Sequence, residues 1–145
     1  MSLPTPTPGL VISYSYLWAQ EHLAGAEEGR KDRPCAIVAA RQVIEGREVV
    51  TVVPVTHTPP ADPADAVAIP PALKAHLGLD ESPSWVVVTE TNDFLWPGPD
   101  LRPIPGSQPA RFDYGMLPPR FFAHIRQCIL AAHRRRNLTQ VPRSE

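Results

Sequence analysis

The stretch PCAIVAARQVIEGREVVTVVPVT, residues 34–56, commits the chain to a sheet. Two runs dense in β-branched and small apolar residues, 34–43 and 48–56, flank IEGR, whose glycine suits a tight reversal. This composition and spacing predict an antiparallel β-hairpin. Once one such pair exists, the neighbouring apolar runs have an edge to join. GLVISYSYLW, 9–18, alternates Val11, Ser13 and Ser15 with Ile12, Tyr14 and Tyr16, the period of a strand. Ala66 to Ile69 reads as a short strand, and SWVVVTETNDFLW, 84–96, as one long strand.

Nineteen prolines in 145 residues, well over twice the usual ~5%, favour short strands joined by fixed turns over a helical bundle. The segment AQEHLAGAEEGRKD reads as a loop with a helical turn at its start, 57–65 as an irregular crossing, and 97–115 as a proline-heavy loop with a short strand. Two segments carry helix signals. PPALKAHLGLD opens on prolines and stops at Gly78. LPPRFFAHIRQCILAAHRRRN places Phe121 or Phe122, Ile125, Cys128 or Ile129, and Ala132 at helical spacing. The sequence therefore predicts one domain over 1–145 with an ordered core from about residue 9 to about 135, mainly β with helices. Its expected form is a small twisted barrel with a C-terminal α-helix and a frayed tail.

Fourteen Lys and Arg against fifteen Asp and Glu leave a formal net charge of −1, so an anion-binding surface must come from local clusters. Arg30, Lys31 and Arg33 form one, and Arg134, Arg135 and Arg136 another. Cys35 and Cys128 have neither a disulfide framework nor a zinc spacing and read as core residues. Neither a signal-like leader nor eighteen continuous apolar residues are present, which predicts a soluble, cytoplasmic protein without membrane association. Gly25, Gly29 and Lys31 do not form a phosphate loop, and the paired-histidine and Gly-x-Ser-x-Gly patterns are missing. No cofactor and no metal is expected.

Arg33 stands immediately before Pro34, which restricts it to extended geometry at the mouth of the hairpin. A guanidinium held there presents a planar fork to an anion and stays charged at any working pH. His57, directly after the second run, is a side chain of a type that ordinarily titrates near neutrality, as an acid or base requires.

KDRPCAIV, followed about twenty residues later by VVPVTHTPP, resembles the MazF/PemK family of toxin ribonucleases in its Arg-Pro pair and its Val-Pro-x-Thr strand end. AVAIP and WVVVTETNDFLW fit the order of the family's later strands, and the similarity covers roughly residues 9 to 135. The resemblance implies an SH3-like barrel that forms a homodimer, is neutralised by an antitoxin, and cuts single-stranded RNA without a metal. In that reaction the ribose 2′-hydroxyl attacks the adjacent phosphate. Arg33 fits the cation that stabilises the phosphorus centre, Thr56 supplies a hydroxyl, and His57 or Glu90 takes the acid or base role. Arg30, Lys31, Thr89, Thr91 and Asn92 are the residues expected to contact RNA. The chain departs from the family at VVVTETND, where several relatives carry an arginine and an aspartate. The alternative is a catalytically inactive barrel that binds protein or nucleic acid.

Overall fold

The computed structural model describes residues 3–25, 31–42 and 46–143. Its centre is the hairpin read from the sequence. Strands β2 (Arg33–Gln42) and β3 (Glu48–Thr56) pair antiparallel from Cys35 opposite Pro54 to Gln42 opposite Glu48. The tip, 43–45, lies outside the described residues, but Gly46 next to it has φ +73°, a region that favours glycine. Strand β1 (Leu10–Tyr14) lies antiparallel on the other edge of β2, with Tyr14 opposite Arg33. Arg33 is thus the first residue of the strand itself.

The outer edge of β3 takes two partners in succession. Val49 to Val52 pair with β6 (Glu90–Leu95), whereas Val55 and Thr56 pair with β5 (Trp85–Val87). The single strand expected over 84–96 is therefore two. Between the two ladders the β5–β6 segment holds three more residues than a continuous pairing would need. Val88 leaves the ladder and donates its N–H to Asp65, while the Thr89 carbonyl accepts from Thr139. Pro54, which has no N–H for a ladder, sits in β3 where the partner changes. The kink bends the sheet, so β4 (Ala66–Ala68) joins β5 at one end of the path, and β7 (Asp113–Met116) joins β1 at the other.

The sheet buries both faces, as the alternation along the strands requires. Val11, Ala36, Val53 and Val55 face one cluster, covered by α2 (Pro71–Leu77) through Leu73 and Leu77 and by α3 (Pro119–Arg134) through Ile125. Phe121, Phe122, Cys128 and Ile129 pack against the same cluster. The apolar stripe of α3 is thus used within the chain, and Leu130 is the large apolar side chain that this helix leaves exposed. Leu10, Ile12, Tyr14, Cys35, Ile37, Val50 and Val52 face the second cluster with Tyr16, Phe94 and Leu101. Cys35 is fully buried, and burial pushes its thiol far above the usual range, consistent with a core role. The helix ends follow local rules: Pro71 occupies the first turn of α2, and Gly78 caps it in the left-handed region.

The frayed tail expected after α3 is instead strand β8 (Thr139–Pro142), which runs parallel to β6 with Val141 opposite Asn92. Arg143 follows it into the interior. Its guanidinium donates to the Ser15 carbonyl at 2.8 Å, Asn92 Oδ1 at 2.9 Å and the Tyr14 hydroxyl at 3.3 Å, and lies 2.9 Å from Asp100 Oδ2. These partners offset the cost of burying a cation and tie the tail down. No helix among the described residues is long and apolar enough to cross a membrane.

Candidate active site

The segment after β1 builds one wall of the site. Asn92, fully buried on β6, accepts from Leu17 N–H at 2.9 Å and returns a bond from its amide to the Leu17 carbonyl at 2.8 Å. That two-way clamp fixes the backbone next to Trp18. Helix α1 (Ala19–Leu23) then starts, with Glu21 reaching back to Trp18 N–H at 3.2 Å. Glu90 Oε1 accepts from Ala19 N–H at 2.9 Å and from the Tyr16 hydroxyl at 3.2 Å. Burial raises the Glu90 carboxyl above its ordinary range, opposed by the Ala19 and Tyr16 bonds.

Trp18, so placed, meets Arg33: the guanidinium carbon lies 4.9 Å from the centre of its ring. Arg33 Nη1 donates to the Val55 carbonyl at 3.3 Å, while Nε is buried with no partner. Among the described residues no carboxylate pairs with Arg33, and the indole and the Val55 carbonyl hold it in place. It lines a groove of about 510 Å³ together with Trp18, Lys31, Thr56, His57 and Asp65. A neighbouring cavity of about 460 Å³ shares Lys31, Arg33, Thr56 and His57 and adds Asp80, Ser84 and Tyr114.

Thr56 Oγ1 accepts from Thr58 N–H at 3.2 Å, which leaves its own proton for an acceptor in the groove. His57 Nε2 lies 2.8 Å from Asp80 Oδ2, and both side chains are about half exposed. Asp80 Oδ1 is 2.7 Å from Lys74 Nζ, and the hydrogen bond from Lys74 holds the Asp80 carboxyl below its usual range. Arg135, at the end of α3, reaches Asp65 at 3.3 Å on the groove's rim.

Arg33, Thr56, His57 and Lys31 line one groove. Arg30 lies outside the described residues. Thr91 and Asn92 are buried, Asn92 holding Leu17 and Arg143 instead of facing the groove, and the Glu90 carboxylate is turned to the α1 backbone. Thr89 is half-buried at the β5–β6 kink, its carbonyl held by Thr139. Trp18, Lys74 and Asp80 were missed. Lys74 had left a signal, because a lysine between Leu73 and Leu77 stands on the apolar side of a short helix.

Residues 16–93 match the model of the family described as PemK-like, MazF-like toxin of type II toxin-antitoxin system, more than half of the chain. The chain belongs to this family. The matched stretch runs from Tyr16 to Asp93 and so contains Trp18, Arg33, Thr56, His57, Lys74, Asp80 and Glu90, whereas Asp100 and Arg143 lie beyond it. No curated protein matches the chain. No solved structure matches it either. As a PemK-like toxin, the chain pairs a recognisable groove with a C-terminal strand from outside the matched region.

Proposed function

We propose that this PemK-like toxin is an endoribonuclease that cleaves single-stranded RNA by internal transesterification, without a metal. The observation that carries the reading is the convergence of an arginine, a hydroxyl donor and an imidazole in one groove. The ribose supplies the nucleophile. His57 removes the 2′-hydroxyl proton, O2′ bonds to phosphorus, and the bond from phosphorus to O5′ breaks. The departing O5′ takes a proton from water, giving a 2′,3′-cyclic phosphate and a 5′-hydroxyl. Arg33 and the Thr56 hydroxyl donate to the phosphoryl oxygens, where charge grows in the transition state. Lys31 attracts the chain of phosphates, and Trp18 backs the Arg33 guanidinium.

The test is incubation with long RNAs in EDTA and mapping of both new ends. Cyclic phosphate and 5′-hydroxyl ends support the reading, provided that His57→Ala lowers the rate about 10²- to 10⁴-fold. Intact RNA across a broad set would favour the second reading, a binding module. That reading draws on strand β6, whose Thr91 and Asn92 are committed to the interior. The same proposal includes neutralisation by a cognate antitoxin, a cytoplasmic setting and a homodimer. A monomer in sedimentation at micromolar concentration would remove the last.

A further inference from the structure

Lys74 is buried on α2, 5% exposed, where a leucine or methionine would serve the packing. Its three ammonium protons are all used, by Asp80 Oδ1 at 2.7 Å, Ser84 Oγ at 2.7 Å and the Ser82 carbonyl. Ser82 N–H also donates to Asp80 Oδ1, at 3.2 Å. A lysine so enclosed loses side-chain freedom and hydration, and it fixes one oxygen of a carboxylate whose other oxygen meets His57. Ser84 and Asp80 line the cavity that also holds Arg33, Thr56 and His57.

We propose that Lys74 and Asp80 are positioning residues that hold His57 with its proton on Nε2, leaving Nδ1 as the proton acceptor for the reaction. The assignment rests on the reading of His57 as the base. An imidazole has two nitrogens, and the hydrogen bond made by one decides which state the other presents. A carboxylate can only accept, so Asp80 selects the Nε2–H tautomer. Lys74 keeps that acceptor ionised and in place. Other titratable groups bordering the cavity are Lys31, Asp32, Arg33 and Tyr114.

The experiment reads ring ¹⁵N chemical shifts of His57 in the RNA-free protein above neutral pH, with cleavage rates measured in parallel. Wild type should show one dominant tautomer, protonated on Nε2, and Asp80→Ala should show a mixture. Lys74→Met should move the Asp80 carboxyl titration to higher pH and, above neutral pH, shift the ring toward a mixture, because the carboxylate loses the contact that holds it in place. Asp80→Ala should lower kcat about tenfold with KM little changed, less than for a buried catalytic aspartate because the pair is half exposed. Identical ring shifts in wild type and Asp80→Ala would overturn the proposal. So would a wild-type rate in Asp80→Ala when His57→Ala is impaired. A wild-type rate in His57→Ala would instead remove the base assignment, while the ring shifts would still decide whether the pair holds the imidazole. Should Lys74→Met not fold, Asp80→Ala carries the test, since its side chain is 55% exposed.

Discussion

Two arginines flank Tyr14, and the protein treats them in opposite ways. Arg33 pairs with Tyr14 across the β1–β2 ladder, and Arg143 sits 5.5 Å from the centre of the Tyr14 ring. Arg143, 1% exposed, has a carboxylate, a carbonyl, an amide oxygen and a hydroxyl around it. Among the described residues Arg33 has the face of an indole, one long bond to a carbonyl and a buried Nε with no partner. The guanidinium groups are chemically identical, so the difference lies in what has been left over. Where the protein consumes the donors, the arginine holds the fold together; where it leaves some of them, we propose that the arginine serves an outside anion.

The sharpest way to break this contrast is to remove each arginine in turn. Arg143→Ala takes the nearer cation from buried Asp100, leaving Arg102 at 3.9 Å, and should lower the unfolding free energy by about 3 kcal/mol, measured in urea. Arg33→Ala should cost about 1 kcal/mol, since it removes one half-buried cation–π contact and one long hydrogen bond. Equal losses would erase the distinction. Next in size is Arg33→Lys, which keeps the charge but loses the fork. RNA cleavage should fall about 10²- to 10³-fold with the urea midpoint unmoved. Arg143→Lys should do the reverse, with a lower midpoint and a near wild-type rate in the fraction that stays folded.

A smaller effect separates Trp18 from Tyr14, the two rings under these cations. Trp18→Leu should weaken binding of an uncleavable RNA analogue several-fold while changing stability little, because Arg33 loses the surface that holds it flat. The smallest concerns acid. The Asp80 carboxyl is held below its ordinary range, so its bonds to Lys74 and His57 contribute stability at pH values above that range. This contribution is lost as pH falls through the lowered value. Asp80→Ala should therefore lower stability at pH 6 by under about 1 kcal/mol, and its curve should converge on the wild type near pH 2, read from urea midpoints across pH.

What the sequence disclosed follows the same division between local and distant causes. The β2–β3 hairpin needs only its own residues: two valine-rich runs and Gly46. Helix α2 announces itself through Pro71 and Gly78. The site's central residues were legible because Arg33 and Thr56 lie at the ends of that hairpin's strands. Strand β8 was not, since TQVP has no alternation to read and its pairing with β6 depends on residues some fifty positions away. The split of 84–96 escaped for a similar reason, because VVVTETN reads as unbroken strand and only the change of partner along β3 interrupts it. Asp80 follows a helix cap and carries no sign of His57; proximity between them comes from α2 docking on the sheet.

Arg143 and Tyr14 are 129 residues apart. Joining them closes a loop nearly as long as the chain, and its entropic cost rises only slowly with that length but is due in full before the contact forms. Until then Asp100, the buried oxygen of Asn92 and the Ser15 carbonyl are not yet joined by the one guanidinium that reaches all three. The polar interior therefore depends on distant contacts, whereas the hairpin that bears Arg33 and Thr56 assembles from neighbours, so the two have different places in time: contacts local in sequence form early, and those spanning the chain form late. During synthesis, the hairpin has left the ribosome for tens of residues before Arg143 emerges to lock the molecule shut.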